Sequence, residues 1–516
     1  MQLQPYGPRL IPPHGLTSLY SLHILPSNTS HSYSESWVVG AGKSGIVALW
    51  KHSGIEEDNT GKKKQQHTQQ QQYGDSVDAH LVQGKQAHKE EQEQEQEHEY
   101  HQGIESIVSW KAHNGRWISD AHFLPLPIAN YHHDPDHDCD HDPMDTTCTS
   151  SSITATYPTN SHYNKTPHPP PQSNQPSGLL TAANDGRICL WDLRSLSSQS
   201  GTPRLLYSTS TKGLHKSGIF SMDVCPKTQD PNGNTMSSNY DAWICTGSKD
   251  KSVALSNLAC GDRPLEGGDG DIGNGSDVIH TQLSTLYRST YHRGIVKCVH
   301  MRGRDSTLLA SVADDGACVI HDYRMAGARD DGESNRLVSV LEHVHDRPHS
   351  VVWHPYPSEL FVTAGLDSTI HTWDLRHLSK PILSYTDHMV SLAAPRRPKS
   401  IHRPAMYTPY TTTTNITFQK NPSDGTTTLP KSKGYILSGG EGTHAFTMFG
   451  LGCSCQHPPI QSMASSSHCN TRAIGRMHLG HDIGCIATRD SRVAVSIATG
   501  EVLMLRPASC GCNEKM

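Results

Sequence analysis

Residues 179–194 read LLTAANDGRICLWDLR, and residues 361–376 read FVTAGLDSTIHTWDLR. Each stretch opens on a strand of apolar and small residues, passes a tight turn carrying Asp, and closes on a second strand ending in Trp-Asp. Two copies of one strand–turn–strand unit predict a repeat architecture. No unit in such a chain buries its own apolar faces, and stacked neighbours bury them together.

Weaker copies emerge in the same register. WVVGAGKSGIVALWK (37–51) keeps its Trp at Trp50, and WICTGSKDKSVALSNL (243–258) keeps the turn Asp250 but carries Ser256-Asn257 in place of Trp-Asp. LLASVADDGACVIHDYR (308–324) keeps Asp315 and Asp322 and places His321 at the Trp position. YILSGGEGTHAFTMFG (435–450) and VAVSIATGEVLMLR (493–506) keep the apolar alternation and the turn. An amphipathic strand preceded by a turn histidine comes before most of them, at His113, His215, His292, His345, His388 and His481. The opening HGLTSLYSLHIL (14–25) completes seven units.

These units resemble the WD40 repeat family. The resemblance implies an all-β, seven-bladed β-propeller, with blades near 14–51, 104–194, 214–258, 287–324, 337–376, 382–450 and 477–506. It further implies a buried polar set within a blade, built from a His, a strand hydroxyl, the turn Asp and the Trp. Blade 2 would use His113, Thr181, Asp185 and Trp191; blade 5 would use His345, Thr363, Asp367 and Trp373. Such residues need one another, since a buried Asp must be paired and a buried indole N–H needs an acceptor. The conspicuous histidines therefore read as structural.

Composition agrees with short strands and many turns. Only 34% of the 516 residues are hydrophobic, mean hydropathy is −0.57, and there are 42 glycines and 32 prolines. At about 40–45 residues per blade, seven blades leave a large remainder. Polar segments at 52–103, 124–177, 227–240, 259–280, 393–433 and 451–475 supply it, and their composition predicts disordered insertions. With strands lettered a to d from the ring centre, these insertions fall between a and b or between c and d. Both loop types open on one face, the bottom, which leaves short top loops and an unencumbered bottom sector around blades 4 and 5. The N-terminal and C-terminal strands should close the ring together.

Several function classes are disfavoured. A net charge of −6 gives no electrostatic footprint for nucleic acid. No apolar run approaches the roughly 18 residues of a membrane span, and MQLQPYGPRLIPPHG has no signal-peptide core. Among the 14 cysteines, Cys189, Cys245, Cys298, Cys318 and Cys485 lie singly in strand-like runs, as buried thiols of a cytoplasmic or nuclear protein would. GAGKSG (40–45) departs from a phosphate loop, with Trp37 at the required Gly and a strand following. HHDPDHDCDHDP and the pairs Cys453/Cys455 and Cys510/Cys512 lack structural-zinc spacing. No catalytic motif appears. The expectation is a protein-binding scaffold, not an enzyme, with no cofactor and no metal.

The Trp-Asp-Leu-Arg endings sharpen this. Both sixteen-residue stretches are similar to the box of cullin-4 ubiquitin ligase substrate receptors, in which the resemblance implies that the Arg contacts the ligase's propeller-shaped adaptor. Arg194 and Arg376 occupy that position, and Arg324 of His-Asp-Tyr-Arg is a degenerate third. The alternative is a general scaffold in trafficking, chromatin or RNP assembly.

Overall fold

A computed structural model describes residues 3–5, 9–16, 18–26, 35–53, 104–105, 108–126, 176–197, 201–209, 214–227, 240–261, 280–303, 307–323, 337–355, 359–386, 400–401, 404–407, 434–451, 473–489 and 492–507. They form a seven-bladed β-propeller. Blade 1 comprises Leu19–Pro26, Glu35–Gly42, Ile46–Ser53 and Val108–Lys111, each antiparallel to the next. Blade 2 comprises Ile118–Leu124, Gly178–Ala183, Ile188–Asp192 and Arg204–Ser208. Blade 3 runs from Ile219–Pro226 to His280–Ser289, and blade 4 from Val296–Met301 to Leu337–Leu341. Blade 5 is Pro348–Trp353, Leu360–Gly365, Ile370–Asp374 and Leu383–Tyr385. Blade 6 is Ala405–Tyr407, Tyr435–Ser438, Ala445–Gly450 and Gly475–His478.

Blade 7 takes three strands from the C-terminal part, Ile483–Arg489, Arg492–Ile497 and Val502–Pro507. Its outer edge comes from the other end of the chain. Leu3 pairs with Pro507, and Leu10 pairs with Val502. The indole N–H of Trp50 donates to Ile11 O at 3.0 Å, which ties this closing strand to blade 1.

Sheets packed face to face around a ring bury apolar area between blades, and the core divides accordingly. Leu10, Leu19, Trp50, Cys485 and Val502 fill the space between blades 1 and 7. Val39, Leu49, Ile118 and Trp191 fill that between blades 1 and 2. Comparable clusters occupy each later interface as far as blades 6 and 7.

Three details differ from the sequence expectation. The repeat unit and the blade are offset by one strand, so each unit supplies the outer strand of the preceding blade. Thus Val108–Lys111, at the start of the expected blade 2, closes blade 1, and Gly475–His478 closes blade 6. The inner strand of blade 6 is Ala405–Tyr407, inside the expected insertion 393–433, whereas His388 lies outside the described residues. Consequently the link from Leu383–Tyr385 to Ala405–Tyr407 joins an outer strand to an inner one, the kind of connection expected to be short, and within it Ser400–Ile401 pairs with Gly440–Glu441. The other expected insertions lie almost wholly outside the described residues.

Leu10 is fully buried at the ring seam. We expect Leu10→Ala to cost about 2–5 kcal/mol in urea unfolding; a change under about 0.5 kcal/mol, the range of ordinary surface substitutions, would show that the N-terminal strand does not close the ring.

Candidate functional site

Two kinds of polar site emerge, one inside the blades and one at their lower ends. In blade 5 the indole N–H of Trp373 donates to Thr363 Oγ1 at 2.9 Å. Thr363 Oγ1 lies 2.8 Å from His345 Nε2, and His345 Nδ1 lies 2.9 Å from Asp367 Oδ2. The Asp367 carboxylate can only accept, so the neutral His345 ring donates to it from Nδ1, and Nε2 accepts the Thr363 hydroxyl hydrogen. Burial raises the Asp367 pKa, but the His345 and Thr369 hydrogen bonds outweigh it and hold it down at about 2.

Blade 2 repeats the set with Trp191 Nε1 3.1 Å from Thr181 Oγ1, His113 Nε2 3.1 Å from the same oxygen, and His113 Nδ1 3.4 Å from Asp185. Burial disfavours the His113 imidazolium, yet Asp185 and Cys189 beside it hold the pKa up at about 9.

Blades 3 and 4 show how much the set tolerates. In blade 3, His215 bonds Thr246 Oγ1 at 2.7 Å and Ser252 Oγ at 2.9 Å, but Ser256 stands at the Trp position. The Ser256 hydroxyl is buried with no hydrogen-bond partner among the described residues. In blade 4 His321 replaces the indole, 2.9 Å from Ser311 Oγ, which also meets His292 Nε2 at 2.8 Å. His321 is fully buried, and that burial, with His292 nearby, pushes its pKa down to about 3.

A second network, missed in the sequence, links the blades around the central channel. Ser21 Oγ–H donates to Asp120 Oδ1, and Ser21 Oγ accepts from Ala121 N–H at 3.0 Å. Asp120 Oδ2 accepts from Met222 N–H at 3.0 Å, and Ser221 Oγ from Val299 N–H at 3.2 Å. One level below, Asp223 accepts from Met301 N–H at 2.7 Å, and His23 and His300 face Phe123 N–H and Trp353 N–H. The signal was present as a polar residue two places into the inner strands of blades 1, 2 and 3 (Ser21, Asp120, Ser221). It is visible once the inner strands are aligned on one another. These channel residues are held by the backbone of the next blade.

At the lower ends the two arginines adopt one geometry. Arg194 Nε and Nη2 donate to the two carboxylate oxygens of Asp192 at 3.0 and 2.8 Å. Arg376 grips Asp374 the same way, at 2.9 and 2.5 Å. The Arg376 side chain is 46% exposed over a buried Asp374, while that of Arg194 is 33% exposed. Asp374 is pulled below the usual carboxylate range, its burial outweighed by Arg376. Arg324 lies outside the described residues. At the top of blade 5 the structure brings His371 beside His345 and Asp367, a grouping absent from the sequence reading.

The fold is a seven-bladed β-propeller, and the chain is similar to two curated proteins, one of them named for its WD40 repeats. The chain is 34% identical over 98 residues, 19% of its length, to the RbAp48-related WD40 repeat-containing protein prw1 of Schizosaccharomyces pombe. It is 20% identical over 273 residues, 52% of its length, to histone acetyltransferase type B subunit 2 of Candida glabrata. The matched stretches span 21% and 53% of those two proteins. No family model matches the chain. Among the described residues no helix is long and apolar enough to cross a membrane.

Thr363 serves two buried partners, so Thr363→Val should cost about 2–5 kcal/mol, one to two unsatisfied groups at about 1–3 kcal/mol plus a lost bond; denaturant melts showing under 1 kcal/mol would dismiss the network as a stabilising element. A pH dependence follows from His321. Its folded pKa is depressed, so the unfolded chain takes up a proton below about 6.5 that the folded chain refuses until about 3. Stability from this group is present above pH 6.5 and is lost as pH falls toward 3. Wild type should lose more stability than His321→Gln between pH 7 and pH 5; equal losses would contradict a neutral buried imidazole.

Proposed function

We propose that this chain is a non-catalytic subunit of a nuclear, histone-directed assembly, presenting a rigid ring surface to protein partners. The observation that carries this reading is the match across half the chain to histone acetyltransferase type B subunit 2, joined to a closed seven-bladed ring. The described polar clusters support a scaffold because they are engaged in holding blades together. On the top of blade 2, a cleft of about 670 Å³ is lined by Lys111, Arg116 and Arg187 beside His113 and Asp185. Cationic side chains of this kind suit an acidic segment of a partner.

A second reading is favoured by the geometry of Arg376 and Arg194. Each guanidinium is fixed bidentately on its own Asp and half or one-third exposed, which reduces the entropy lost when it contacts a partner. Two such preorganised arginines are what docking onto the cullin-4 ligase adaptor would use, and Arg324, outside the described residues, is the third candidate from the sequence.

Capture with the full-length tagged chain, beside an Arg376→Ala variant, separates the two. We expect a histone acetyltransferase to co-purify with both forms at near-stoichiometric yield. Recovery of the cullin-4 adaptor with wild type and its loss with a folded Arg376→Ala chain would replace the first reading by the second. Recovery of neither would overturn both.

A further inference from the structure

Blade 5 carries an imidazole at a third-strand position that blades 2, 3 and 4 fill with other residues. His371 sits on the third strand at the place held by Cys189 in blade 2, Ala254 in blade 3 and Val319 in blade 4. Its ring stacks on that of His345, with centroids 4.5 Å apart and planes 16° from parallel. Ser384 Oγ of the outer strand meets His371 Nδ1 at 2.9 Å, so with that nitrogen donating, Nε2 carries a lone pair toward His345 and Asp367. Thr369 Oγ1 lies 3.1 Å from His345 Nδ1, 2.8 Å from Asp367 Oδ1 and 3.4 Å from His371 Nε2. One hydroxyl bridging all three groups marks the point on which their donor atoms converge.

We propose that His345, Asp367 and His371, at the top of blade 5, bind a divalent transition-metal ion of the zinc class. Two imidazoles and one carboxylate are a ligand set that zinc accepts, with further positions left to water. The three donor atoms lie within 4.8 Å of one another. Bonds of about 2.0–2.2 Å allow ligand atoms at most about 4.4 Å apart, so the contraction needed is small. The Asp367 side chain is 27% exposed, which gives an ion a route from solvent. Binding requires one proton to move: the His345 hydrogen passes from Nδ1 to Nε2, which then donates to Thr363 Oγ1. The Thr363 hydroxyl turns to a backbone carbonyl, as Thr181 does toward Cys189 O in blade 2. The imidazole stays neutral, and its Nδ1 lone pair is freed for the metal.

The sequence holds further imidazoles at 132–142, so, to keep them out of the titration, the test uses the full chain with His132, His133, His137 and His141 changed to Asn. Zn2+ is titrated calorimetrically into this parent, with thermal melts in Zn2+ and in EDTA. Adding His371→Val, which installs the blade 4 residue, should remove one equivalent of Zn2+ and shrink the metal-induced rise in Tm. Ser384→Ala keeps every ligand but loosens the His371 ring, and should weaken that equivalent about 10–100-fold. An unchanged stoichiometry and Tm rise in His371→Val, or an unchanged affinity in Ser384→Ala, would overturn the proposal.

Discussion

The innermost strand of each blade has one edge with no strand to pair with, and the architecture depends on how that edge is satisfied. An unpaired buried N–H costs about 1–3 kcal/mol, and a ring of seven blades repeats the problem at every inner strand. From blade 1 to blade 4 the answer is a side chain from the preceding blade. Ser21, Asp120 and Ser221 each accept a backbone N–H from the next inner strand. A shift of register just before these residues, as between Leu19 and Ser21 or Ile118 and Asp120, turns the strand so that the side chain reaches across. Along these blades the channel wall is thus a hydrogen-bonded belt, and Asp120 and Asp223 are part of it.

With the inner edge fixed, the polar set within each blade has a narrower task. It fastens the turn between the second and third strands to the loop arriving from the previous blade. That explains why its chemistry varies while its connectivity persists. Trp373, Trp191 and His321 all reach the same strand hydroxyl position, whereas Ser256 is too short. In blade 3 the turn is held instead by Asp250, through Ser252, Lys216 N–H and Arg288. Apolar packing between blades carries the remainder, as the clusters at each interface show.

What the sequence made legible follows from what is periodic in it. The second and third strands carry a repeated apolar alternation, a turn Asp and a terminal Trp-Asp, so their pairing could be read directly. Outer strands such as Val108–Lys111 and Gly475–His478 alternate in burial but carry no signature residue. Blade 6 misled for a physical reason. Its inner strand is three residues, Ala405–Tyr407, too short to show a period, and the apolar run near 389–393 competes with it. The inner-edge belt and the His345–His371 stack were hidden because each joins residues from separate strands, and only the register brings them together.

Blade 5 shows that one repeat can serve both ends without conflict. Its lower end holds Arg376 on Asp374, and its upper end holds His371 against His345 and Asp367. The third strand, Ile370–Asp374, connects them, with Ile370, Thr372 and Trp373 buried between. His371 and Arg376 are additions to positions where neighbouring blades carry small or apolar residues, or a paired Arg. Neither addition disturbs the Trp373–Thr363–His345 line, which stays within hydrogen-bonding distance throughout. A blade whose interior is over-determined in this way can vary its ends freely, because the energy that fixes its shape lies in the middle of the sheet and not at the surfaces offered to ligands and partners.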